Sequence, residues 1–111
     1  MSELKSRHCV PCEGGIPPLT AEEASKMMGQ IEEWELTESA SKIHRTFTFK
    51  GFMQAQEFAV KVGTISESEG HHPDITYGWG FCIVLYYTHK INGLHENDFI
   101  MASKTNDIFN S

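Results

Sequence analysis

The sequence of 111 residues predicts an α+β fold, and three observations carry that prediction. Residues 43–49 and 74–88 are rich in β-branched and aromatic side chains, with alternation in the first of them. Residues 21–32, 52–69 and 94–109 repeat apolar side chains at spacings of three and four. The two kinds of segment follow the order α-β-β-α-β-β-α. That order predicts a four-stranded antiparallel sheet with three helices packed on one face, because each amphipathic helix must bury its apolar stripe against the strands.

Residues 1–19 read as an extended arm, since GGIPPL is too rich in glycine and proline for regular structure. Residues 20–111 form the domain. Thr20-Ala-Glu-Glu23 is a capping box, in which a hydroxyl and a carboxylate three residues on satisfy free N–H groups at a helix start. Ala24, Met27, Met28 and Ile31 continue that helix to about residue 32. Trp34-Glu-Leu36 opens a strand, and ESAS turns the chain. Ile43, Arg45, Phe47 and Phe49 then share one strand face, with His44, Thr46 and Thr48 on the other, so His44 is expected in solvent.

Gly51 interrupts the strand. Phe52, Ala55, Phe58, Ala59, Val62 and Ile65 form the apolar stripe of a helix to Glu69, which Gly70 ends in the left-handed conformation. Asp74–Trp79 and Phe81–Thr88 make the second strand pair. FCIVLYY is apolar on both faces, which predicts burial on both sides or contact with a second subunit. Leu94–Phe109 is the last helix. Trp34, Phe47, Phe49, Phe52 and Phe58 are expected in the core.

Composition removes several classes of function. The formal charge of -6 and the lack of a basic stripe argue against nucleic acid and anionic membranes as partners. No apolar run approaches the roughly 20 residues of a membrane span, and MSELKSRHCVPC has no apolar signal region. Three cysteines, an odd number, fit a reduced cytoplasmic setting. His8-Cys9-x-x-Cys12 offers three zinc ligands where a structural site wants four. It also lies in a Pro/Gly arm rather than at a helix start, where redox pairs sit. A plain surface arm is the simpler reading.

The chemistry concentrates in ESEGHHPDI. Pro73 pushes His72 out of helical dihedrals, and Gly70 lets the chain reverse. His71 and His72 therefore occupy a forced corner beyond a helix C-terminus, near Glu67 and the negative end of the helix dipole. Acid–base chemistry at neutral pH needs one group that gives a proton and another that takes one, and imidazoles do both. The competing reading is a pair of histidines that cap a helix or sit in solvent. Metal binding is disfavoured, because neighbouring side chains point apart.

The stretch EGHHPDITYGWGFCIVLYYTHKINGLHENDF closely resembles the pterin-4a-carbinolamine dehydratase family. The matching pattern is Glu67, His71-His72-Pro73, Trp79, His89 and Asp98. Trp34-Glu-Leu36 and FTFKGFMQAQEF fit as well, so the likeness spans about residues 20–108. The arm CVPCEGGIPPLTAEEA is similar to that of bacterial and plant-type members. The resemblance implies removal of water from 4a-hydroxytetrahydrobiopterin to give quinonoid dihydrobiopterin, which recycles the cofactor of aromatic amino-acid hydroxylases.

It implies His71, His72 and His89 as catalytic residues, and no metal or organic cofactor. His72 and His89 would carry the proton transfers while His71 positions the substrate. Gly70, Tyr87 and Thr88 would join the histidines in binding the pterin. Glu67 would orient His71 or tune its charge. Asp98 would hold a histidine, although its place in the first turn of the last helix also suits a capping box that has lost its hydroxyl half at His95; the structural role is preferred. Relatives assemble as homodimers or homotetramers, and FCIVLYY would suit a sheet edge. The alternatives are a catalytically silent pterin binder and an interaction module, since some animal relatives serve as dimerisation cofactors of a homeodomain transcription factor.

Overall fold

Thr20 starts the first helix by the predicted device. Its hydroxyl accepts from the Glu23 N–H at 3.1 Å, and the Glu23 carboxylate accepts from the Thr20 N–H at 2.8 Å. The computed structural model describes residues 4–11 and 14–111. Helix α1 covers Ala21–Met28 and stops short of residue 32. The chain tightens there into i→i−3 bonds at Gly29, Gln30 and Ile31, and Glu33 takes a left-handed φ of 71°. This reversal brings Ile31 and Trp34 into the core.

The strands are β1 (Glu35–Leu36), β2 (Ile43–Thr48), β3 (Asp74–Gly78) and β4 (Phe81–Tyr86), with α2 (Phe52–Glu69) between the pairs and α3 (Glu96–Asn110) at the end. All pairings are antiparallel, in the order β1-β2-β4-β3. The α+β order and the four-stranded sheet are as the sequence predicts. FCIVLYY, however, is no edge: β4 pairs with β2 on one side and β3 on the other. Its two faces also differ. Cys82, Val84 and Tyr86 are fully buried against the helices, whereas Phe81, Ile83 and Leu85 are half-buried on the open face.

The core forms where Ile43, Phe47 and Val84 of the sheet meet Phe58 and Val62 of α2 and Phe99 and Met101 of α3. Phe47 packs on Phe58 and Phe109 with ring centroids 4.6 and 5.0 Å apart. Trp34 joins them, and its indole N–H donates to Asn106 at 2.8 Å. Phe52 departs from expectation. It is 43% exposed at the start of α2, where its ring packs on that of Tyr77 on β3, itself 38% exposed. His44 is half-buried, with its ring 3.7 Å from Glu35 on β1.

The arm is more than a surface strand. A short 3-10 turn, Leu4–Ser6, buries Leu4 in the core cluster. The Lys104 ammonium of α3 donates to the Lys5 carbonyl at 2.9 Å.

Candidate functional site

Two chain reversals bring the histidines together. The first follows α2. Gly70 adopts φ 68°, its N–H donates to Glu67 O, and the His71 N–H reaches back to Ser66 O at 3.1 Å. This double bond pattern closes the helix through a residue that only glycine fills without strain. The second reversal follows β4. Thr88 and Gly93 bridge each other, closing a 3-10 turn at His89–Ile91 with Asn92 in the left-handed region. His89 thus stands on a closed turn past the strand end, rather than on the strand.

Because β3 and β4 pair side by side, the two reversals come together. His71, His72, Gly70, Thr88 and His89 line one cleft of about 350 Å³. That volume lies within the usual range for small-molecule sites. His72 and His89 are exposed to it, while the His71 side chain is only 10% exposed and its ring stacks on Tyr86.

Asp98 anchors the buried side. One carboxylate oxygen meets His71 Nε2 at 2.6 Å; the other accepts from the Thr88 hydroxyl at 2.8 Å and from the His95 N–H at 3.0 Å. The residue is wholly buried and each oxygen has a partner. The contact of Nε2 with the carboxylate fixes the orientation of the His71 ring. The cap at α3 is intact as well, since His95 Nδ1 replaces the missing hydroxyl and accepts from the Asn97 N–H at 3.0 Å. Asp98 therefore caps α3 and holds His71 at once.

The sequence pattern of the family described as Pterin 4 alpha carbinolamine dehydratase matches residues 17–108. The chain belongs to this family. A relative from Methylococcus capsulatus, provisionally named a pterin-4-alpha-carbinolamine dehydratase, is 59% identical over 95% of this chain and 92% of its own length. One of the same provisional name from Aromatoleum aromaticum is 50% identical over 96% of this chain and 95% of its own. A crystal structure from Brucella melitensis, described as a transcriptional coactivator/pterin dehydratase, superposes with a TM-score of 0.76 at 31% identity. It covers 82% of this chain and 97% of that one.

Within this member of the carbinolamine dehydratase family, the residues expected at the site do not all gather there. Glu67 meets His72, not His71: its carboxylate lies 2.7 Å from His72 Nε2, with both side chains largely in solvent. Such an exposed pair orients a ring more than it stabilises a fold. His71 takes the buried Asp98 instead, because its ring turns inward beneath the reversal. Tyr87 lies outside the cleft lining and packs its ring on His89 at 4.1 Å. Trp79 is 73% exposed at the β3–β4 turn.

Four lining residues, Val10, Pro11, Lys90 and Asn97, are not among those expected at the site, although they lie within stretches that carry the family likeness. Cys9 lies beside them, and burial and Glu69 push its thiol up to about 12. It donates to the Asn97 carbonyl at 3.8 Å as a neutral thiol. Cys12, the other half of the motif weighed for zinc, lies outside the described residues. No helix among the described residues is long and apolar enough to cross a membrane.

Proposed function

We propose that this chain is a hydro-lyase that removes water from a 4a-hydroxytetrahydropterin to give the quinonoid dihydropterin. The observation that carries the reading is the meeting of three imidazoles around one cleft in a chain of this family. One proton is delivered to the departing 4a oxygen, so that the C–O bond breaks and water leaves. Another is taken from a ring nitrogen, whose electron pair forms the new C=N bond. The two transfers balance, and each positioned acid or base supplies roughly 10²–10⁴-fold.

His72 and His89 are the proton carriers in this reading, because both rings are open to the cleft. His71 is held by Asp98 and assists from the buried wall, where a fixed ring orients the substrate. Thr88 and Gly70 contact the pterin, and Glu67 orients His72. Self-association as a dimer or tetramer accompanies this reading by family likeness, with Met53 and Val60 on the outer face of α2 exposed at 58% and 62%.

The test follows 4a-hydroxytetrahydropterin decay with wild type, His72→Ala and His89→Ala against spontaneous dehydration. Wild type accelerates the decay, and each variant loses roughly 10²-fold or more. A wild type no faster than buffer would remove the enzyme reading. Variants as fast as wild type would keep the enzyme and remove the assignment of roles. An interaction module without catalysis is the second reading, drawn from the coactivator half of the Brucella protein's description; it predicts no acceleration at all.

A further inference from the structure

The N-terminal arm closes one side of the histidine cleft. Val10 and Pro11 line it, and among the described lining residues they supply the aliphatic side chains; the others are polar, apart from Gly70. A second hollow, of about 450 Å³, shares Val10 and Asn97 with the first, so Val10 forms part of a ridge between the two.

The ridge is pinned by residues that neighbour the catalytic framework. Asn97, 2% exposed, gives its whole amide to the arm: Oδ1 accepts from the Val10 N–H at 3.1 Å, and Nδ2 donates to the Val10 carbonyl at 2.7 Å. The next residue, Asp98, holds His71. Glu69 accepts from the Cys9 N–H at 2.8 Å and meets His8 Nδ1 at 2.8 Å, one residue before the Gly70 reversal. Farther along the arm, the Leu19 N–H donates to Leu94 O at 2.8 Å. A Cβ on Gly93 would stand 2.5 Å from Pro18, so the arm seats directly on the turn that carries His89. The arm is thus keyed to both reversals that place the imidazoles.

We propose that Val10 and Pro11 are substrate-contacting residues that give the pterin its apolar contact, with Asn97 as the positioning residue that holds them there. The inference rests on the dehydratase reading and adds a specificity element outside the histidine motif. A flat heterocycle needs hydrogen bonds at its edge and apolar contact at its face or side chain. The histidines and Thr88 supply the first; the arm supplies the second.

The test measures KM and kcat for 4a-hydroxytetrahydropterins bearing a 6-methyl or a 6-dihydroxypropyl group. Equilibrium binding of the corresponding 7,8-dihydropterins is measured in parallel. The full chain is used as wild type, Val10→Ser, Val10→Ile and Asn97→Ala. Val10→Ser raises KM and Kd about threefold to tenfold with kcat within about twofold, the mark of lost uniform binding. Val10→Ile, which keeps an aliphatic contact, raises KM and Kd less than Val10→Ser does. Asn97→Ala shows the same rise, because the arm is unpinned. Should Asn97→Ala fold poorly, Val10→Ser decides alone, since Val10 is 57% exposed and the fold does not depend on it. An active wild type with Val10→Ser unchanged in KM and Kd, or altered in kcat alone, overturns the role of the arm while leaving the dehydratase reading intact. An inactive wild type overturns both.

Discussion

Asp98 serves two structures with two oxygens. Its carboxylate caps α3 and holds His71 and Thr88, all within a wholly buried pocket. Removing it leaves the His71, Thr88 and His95 donors without their acceptor, and an orphaned buried polar group is expensive. Asp98→Ala is expected to cost about 3 kcal/mol, read as a lowered denaturant midpoint. It should also slow turnover by roughly 10²-fold through loss of the fixed His71 ring. A capping role alone predicts the stability loss with turnover intact, so the pair of measurements separates the two. The capping half was legible, since an acid three residues after a helix start is a local pattern. That the same carboxylate also holds a histidine came only from the family likeness; that the ring is that of His71, 27 residues away, was not legible, because nothing local records the pairing.

The reversal that closes α2 shows what an element's end contributes. Gly70 holds φ 68°, and a Cβ placed there would meet nothing within 4 Å. Substitution is therefore penalised by backbone strain, not by a clash. Gly70→Ala is expected to cost about 1 kcal/mol, with Gly70→Asn milder because asparagine tolerates the left-handed region. Thermal or urea unfolding of the two variants checks the order; equal and negligible costs would mean that the cap is not under conformational control. Gly70 and Pro73 announce this corner in the sequence. The end of β4 was less legible: FCIVLYY reads as strand through Thr88, yet the strand stops at Tyr86. The Thr88–Gly93 bridge curls the chain away there, and such a closure depends on two residues recognising each other across a turn.

At the scale of the whole molecule, the described residues of the arm are tied to α2, α3 and the turn after β4. Glu69 is the electrostatic part of that tie. The Cys9 backbone N–H holds its carboxyl below the ordinary value of 4.5, opposed by burial and helped by His8 and Lys104. A carboxyl depressed in the folded state contributes stability that is full above its unfolded value and is lost as pH falls through the folded one. Wild type should therefore exceed Glu69→Gln in urea midpoint at pH 7. The gap should close as pH falls below about 4.5, through the lower folded value. A gap constant from pH 7 to pH 3 would show that Glu69 holds the arm by shape alone.

The elements and their order were readable from the chain because helix periodicity, a capping box, a Gly-bounded helix end and β-rich runs are local patterns with local causes. The histidine pair at a forced corner was readable for the same reason. Which carboxylate each imidazole takes, the central place of β4 and the wall that Val10 and Pro11 build were not. Those depend on strand pairing and on an arm returning to α3, contacts between residues far apart in sequence, where burial and hydrogen-bond satisfaction act on the folded chain as a unit.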